Sequence, residues 1–155
     1  MTTPLVHTVY GDIEGFTHDG IQKFFGVPYC KAPIGNRRFR RPEPLEPWEG
    51  VLKATQHSPM CPQGPSDLEL AMGPLHRPIG EDSLTLTIST PDTKGKHPVA
   101  VWFHGGANIS GAGNIDWYDG ESLARHGNIV VVGVNFRIGA LGFLYHPALN
   151  TDNLS

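Results

Sequence analysis

Cysteine is scarce in this chain, with Cys30 and Cys61 the only two. Two cysteines make neither a disulfide framework nor a zinc site, and the eight histidines lack close paired spacing. No metal and no cofactor are therefore expected. Excess positive charge is also missing: 12 Lys and Arg face 15 Asp and Glu, for a net charge of −3. Without a basic field to grip phosphates, nucleic acid is not an expected partner. Long apolar runs are absent too. The longest, Val99–Phe103 and Ile129–Val134, are about six residues, far short of the ~20 a membrane helix needs. No membrane partner is expected. The stretch Met1–His7 has no basic n-region and no apolar core, so no secretion signal is expected. The expected setting is cytoplasmic and reducing, which argues against a Cys30–Cys61 bridge.

What the chain does hold is glycine and proline, 19 and 14 residues, about a fifth of its 155. A hydrophobic content of 39% with only 17% charged residues argues against disorder. The length by itself suits one small domain able to bury a core. Leu5–Tyr10 and Ile13–Phe16 flank Gly11-Asp12, a predicted hairpin, and Ile21–Val27 follows as a third strand. Five prolines between residues 28 and 50 exclude regular structure there and leave an irregular wrap anchored by Phe39 and Trp48. A second loop spans 59–80, with a short helix predicted at Ser66–Met72.

From residue 81 the pattern sharpens. Leu84, Leu86 and Ile88 alternate with Thr85, Thr87 and Ser89, the period-two signature of a half-buried strand. The runs at 98–103 and 129–134 are continuously apolar and suit strands covered on both faces, as in a parallel sheet. Between them lie a Gly-rich turn and a short helix near Glu121–His126, closed by Gly127. Strand, crossover and strand make a βαβ unit. The expected fold class is α/β: a mixed sheet whose antiparallel N-terminal strands lead into a parallel βαβ unit.

Ligands of open parallel sheets bind beyond the carboxyl ends of the strands. The strand ending at Phe103 runs straight into His104-Gly105-Gly106-Ala107-Asn108 and then Ser110-Gly111-Ala112-Gly113. Small residues there permit sharp turns that aim main-chain N–H groups at negative charge, on a phosphate or on an acyl-transfer oxyanion. A P-loop fails, because Ala112 stands where its lysine must be, and the dinucleotide pattern fails after Gly113. His-Gly-Gly-Ala instead matches the HGGG-type oxyanion loop of esterases and lipases. By itself the tetrapeptide is equally compatible with a plain tight turn.

The surroundings narrow the choice. Phe25-Gly26-Val27-Pro28-Tyr29, Ala32-Pro33-Ile34-Gly35, Arg38-Phe39, Cys61-Pro62-Gln63, Gly80-Glu81-Asp82-Ser83-Leu84, Val101–Gly106 and Asn135-Phe136-Arg137-Ile138-Gly139 recur in one order. Through these motifs the chain resembles the type-B carboxylesterase/lipase family, the α/β-hydrolases that include the cholinesterases. The resemblance implies a serine hydrolase acting on small-molecule carboxylic esters, with a Ser–His–Glu or Ser–His–Asp triad. It places the oxyanion donors at the N–H groups of Gly106 and Ala107, with Gly105 supplying the turn and a third donor following the nucleophile. Arg38 and Glu81 resemble the family's structural salt bridge, and Arg137 has an expected partner later in the fold. His104 is expected to serve its own loop.

The nucleophile elbow Gly-x-Ser-x-Gly does not occur in the 155 residues. Ser110 lacks the preceding glycine and belongs to the oxyanion loop. In the family, the elbow, acid and histidine all follow the Asn-Phe-Arg-Ile-Gly motif. Residues 1–155 are therefore expected to be the N-terminal part of one hydrolase domain, inactive alone and completed by a complementary C-terminal chain. An uncovered apolar strand at Ile129–Val134 is the expected consequence, and with it poor solubility. Ser83 excludes a disulfide that secreted members place there with the counterpart of Cys61. Gln63–Gly80 holds no aromatic to face a quaternary ammonium, so a neutral ester is expected rather than a choline ester. Asn108-Ile109-Ser110 and Asn153-Leu154-Ser155 match glycosylation sequons by chance on this reading. The alternative function is a non-catalytic interaction module of the same fold.

Overall fold

The computed structural model describes residues 3–147, apart from 68, 70 and 71. Strand β4 (Ile21–Pro28) organises the larger sheet, burying Ile21, Lys23, Phe24 and Val27. It pairs antiparallel with β3 (Phe16–His18) on one side and with β6 (Thr85–Thr90) on the other. Strand β8 (Val130–Val134) is antiparallel to β6, and β7 (Val99–Phe103) is parallel to β8. The order is thus β3-β4-β6-β8-β7, antiparallel strands leading into a parallel βαβ unit as expected.

A second sheet joins β1 (Leu5–Thr8), β2 (Gly11–Glu14) and β5 (Val51–Lys53). Its hairpin turns at Val9-Tyr10, two residues before the expected Gly11-Asp12. The cause is Thr8, which pairs with Gly11; its hydroxyl donates to Gly11 O (2.8 Å) and accepts from the Tyr10 N–H (3.1 Å). A serine or threonine turn of this kind substitutes for Asx chemistry. Ile13, Phe24, Val27 and Ala54 form the core between the sheets, flanked by Trp48, Leu86 and Ile88. Trp48 donates from Nε1 to Asp12 O (3.2 Å) and stacks with Tyr10, so it does anchor the proline-rich wrap. Arg38 grips Glu81 through two bonds of 2.7 Å. The helix expected at Ser66–Met72 includes residues outside those described.

Strand β6 has the expected alternation but the opposite weighting. Thr85, Thr87 and Ser89 are buried, whereas Leu86 and Ile88 are only partly so. The polar side lies under loops that supply partners, such as Ser58 Oγ at 2.5 Å from Thr85 Oγ1. The apolar side borders an open groove of about 380 Å³ against the small sheet.

Strand β8 is flanked by β6 and β7, but β7 is the edge, and all five of its residues are exposed, Phe103 by 64%. The uncovered apolar strand is therefore Val99–Phe103 and not Ile129–Val134. The crossover contains helix α1 (Glu121–Gly127), which packs Ala124 against Ile21 and Val131. It ends on Asn128 in the left-handed conformation (φ 51°), one residue past the expected Gly127. Lys23, nearly buried, reaches from β4 to Asp119 and Glu121, each at 2.8 Å, and ties the sheet to the start of α1. The Lys23 bond to Glu121, with one from His18, holds the Glu121 carboxyl down to about 2.

Candidate active site

The parallel pair β7 and β8 ends at Phe103 and Val134, which are register partners. Beyond these carboxyl ends run the two segments that build the site, 104–114 and 135–143. Two hydrogen bonds tie them together. Gly113 N–H donates to Asn135 Oδ1 (2.7 Å), and Gly139 N–H, entering helix α2 (Gly139–Phe143), donates to Asn108 O (2.6 Å).

The first segment turns sharply at Gly106 (φ 115°), Ala107 (φ 53°) and Asn108 (φ 61°). Three successive residues in the positive-φ region are costly for side chains, at about 1 kcal/mol or more each for the non-glycines. Gly106 has no alternative, because a Cβ there would overlap the carbonyl oxygen of Ser110. That same turn lets Gly106 O accept from the N–H groups of Ile109 (3.0 Å) and Ser110 (3.1 Å). The N–H groups of Gly106 and Ala107 have no acceptor among the described residues. Both residues line an open cavity of about 580 Å³, together with Gly64, Asp67 and Ile109. Unpaired main-chain donors beside a cavity can stabilise negative charge on an oxygen. Gly105 sits between them and the strand, where a Cβ would meet nothing.

Side chains from other elements hold the turn. His104 is buried, donates from Nδ1 to Gly105 O (2.8 Å) and stacks on Phe136 at 4.3 Å. Burial lowers its pKa, so the ring is neutral. Gln63 grips Gly111 at both ends: Gly111 N–H donates to Oε1 (2.6 Å), and Nε2 donates to Gly111 O (2.9 Å) and Cys61 O (3.1 Å). Asn114 Nδ2 donates to Ser58 O (2.7 Å), and Tyr29 Oη donates to Asn135 O (2.8 Å). Sequence reasoning assigned no role to Gln63, Asn114 or Asn135. The available signal was the placing of amide side chains in Gly- and Pro-rich segments, where main-chain groups need partners.

Ser110 is buried, with its hydroxyl on Ser66 Oγ (3.2 Å) and Gly106 O (3.4 Å), and no histidine is among its partners. Arg137 has a buried Nη1 with no acceptor among the described residues. Cys30 and Cys61 are free and buried; burial pushes the Cys30 thiol up to about 11 and raises that of Cys61. His18, Asp19 and Glu121 bring ligand atoms within 4.8 Å of one another. Glu121 already carries Lys23 and His18 on one oxygen and Arg125 on the other, which uses up its charge. The second sequon, 153–155, lies outside the described residues. No helix among them is long and apolar enough to cross a membrane.

The carboxylesterase family model matches residues 2–153. The chain is 46% identical to a para-nitrobenzyl esterase of Bacillus subtilis (strain 168), over 99% of its own length and 32% of that protein. It is 40% identical to a phenmedipham hydrolase of Pseudarthrobacter oxydans, over 93% of its length and 30% of the relative. A solved PNB esterase superposes with a TM-score of 0.88 at 43% identity, covering 98% of this chain and 32% of that one. The chain thus spans about a third of the length of these relatives.

Proposed function

The chain belongs to the carboxylesterase family, and on that premise we propose that it is the oxyanion-loop portion of a serine carboxylic-ester hydrolase. In this reading the N–H groups of Gly106 and Ala107 bind the oxygen of the tetrahedral intermediate. The nucleophile, acid and histidine come from outside these 155 residues, in a complementary C-terminal chain or continuation, so the 155 residues alone do not turn over. The substrate is a small neutral carboxylic ester bound in the cavity beside Gly106. The absence of any aromatic in Gln63–Gly80 supports neutral over cationic esters. The proposed compartment is the cytoplasm, in keeping with two thiols left unpaired.

One observation carries the proposal: two adjacent main-chain donors, at φ 115° and 53°, line a cavity beyond the end of β7 and lack described acceptors. As charge develops on the carbonyl oxygen, fixed N–H dipoles stabilise it without reorganising, so they favour the transition state over the bound ester. Each such donor contributes roughly 3 kcal/mol to that barrier in acyl-transfer enzymes.

The test is a chimaera in which residues 1–155 replace the matching third of the Bacillus subtilis esterase. Hydrolysis of p-nitrophenyl esters by the chimaera, and none by the 155 residues alone, is the expected result. Ester turnover by the purified 155-residue chain would overturn the proposed division. A folded chimaera without turnover would favour a non-catalytic interaction module.

A further inference from the structure

Away from the cavity beside Gly106, three buried polar atoms belong to residues that line a second and much smaller space. They are His57 Nδ1, Thr87 Oγ1 and Asn114 Oδ1, each sealed from solvent and without a hydrogen-bond partner among the described residues. Their residues line one cavity of about 20 Å³, closed by Phe25, Arg77 and Tyr118. A buried polar group left unpaired costs about 1–3 kcal/mol, so three in one place demand a common explanation.

Rearrangement of the side chains does not supply one. Flipping Asn114 would bring its Nδ2 to the cavity but would forfeit the 2.7 Å bond to Ser58 O. Its main chain is held by Arg77, whose Nε donates to Asn114 O (3.0 Å). The His57 ring is stacked on Phe25 with centroids 3.7 Å apart. Thr87 is fixed in the middle of β6, opposite Gly133 of β8.

We propose that this cavity is a binding site for one internal water molecule, which joins the segment after β5, strand β6 and the returning end of the Gly-rich loop. The volume admits about one water and excludes larger ligands, since a single water needs on the order of 10–15 Å³ of such space. The donor and acceptor count closes. Asn114 Oδ1 can only accept, so the water donates its first hydrogen there. Its second goes to His57 Nδ1, and Thr87 Oγ1–H donates to the water oxygen. Burial, with Arg77 nearby, lowers the His57 pKa to about 4, so the ring is neutral and its nitrogen is able to accept. Because Asn114 follows Gly113, whose N–H is held by Asn135, the water braces the limb of the loop opposite the Gln63 clamp. This inference is independent of the proposed ester hydrolysis.

A crystal structure of the full chain at better than about 2 Å tests the proposal. The expected result is one ordered water oxygen within about 2.6–3.2 Å of both Asn114 Oδ1 and Thr87 Oγ1. No solvent density there, or those atoms paired to protein groups instead, would overturn it. A double-mutant cycle in denaturant, using Thr87→Val and His57→Phe, gives a second route. A shared water makes the losses non-additive, the double variant's unfolding constant rising at least threefold less than the product of the single effects. Multiplicative effects would overturn the bridging role.

Discussion

The carboxamide of Gln63 clasps the main chain of Gly111 from both sides, accepting from its N–H at 2.6 Å and donating to its carbonyl at 2.9 Å. This pairing mimics a strand ladder in a place where no strand exists. It fixes the loop five residues after Gly106, so the donors at 106 and 107 owe their position partly to a side chain remote in sequence.

Replacing that clamp should therefore loosen the loop. Gln63→Leu leaves both Gly111 groups without their partner, and we expect a loss of about 2 kcal/mol in urea unfolding. In the chimaera, kcat should fall more than KM rises, because the donors matter most in the transition state. Equal stability of variant and parent would exclude the clamp as a structural element.

Gly113 and Gly133 let the loop lie directly on β8. A Cβ on Gly113 would overlap Val134 O, and one on Gly133 would overlap Gly113 O. Gly133→Ala should destabilise the chain by roughly 1–3 kcal/mol, the usual range for forced overpacking. A thermal melt of the variant checks this.

Stability should fall with acid over a defined window. His57 is held at about 4 in the folded chain, by burial first and then by Arg77, with Lys23 adding to the effect and Asp116 and Asp119 opposing it. Its ordinary value is 6.5. A depressed histidine favours folding above 6.5, and that contribution is lost as pH falls from 6.5 to 4, where the unfolded chain binds the extra proton. Allowing for the ring's partial exposure, on the order of 2 kcal/mol should disappear. His57→Phe should flatten that part of the profile, as measured by denaturant midpoints at successive pH values.

The 155-residue chain alone should self-associate through β7. Val99, Val101, Trp102 and Phe103 are each at least 47% exposed on a strand whose outer edge has no partner among the described residues. Val101→Lys introduces the charge that edge strands use against pairing. Sedimentation should show the parent associating at micromolar concentration and the variant shifted toward monomer; a sharp monomer peak for the parent would contradict this.

Some of this architecture was legible from residues alone. The parallel β7–β8 unit followed from two apolar runs flanking a helical segment, and the turn after Phe103 from its glycines. The Arg38–Glu81 pair followed only from the family resemblance. Local pattern could not show that β7 is an edge, since a continuous apolar run reads alike whether its cover is present or not. Nor could alternation in β6 show that Thr85 and Thr87 are more buried than Leu86, because burial depends on which loops return over each face. His57 and Gln63 were invisible for the same reason: their partners, Phe25 and Gly111, lie 32 and 48 residues away in sequence.

The most direct measurement is the steady-state kinetics of Gly106→Ala in the chimaera with p-nitrophenyl esters. The added methyl must displace Ser110 or the turn, and with it the N–H groups of Gly106 and Ala107. If these are the oxyanion donors, kcat falls by roughly 10²–10³ with KM little changed and the fold retained by circular dichroism. A folded variant with kcat within about threefold of the parent would contradict the assignment of these donors.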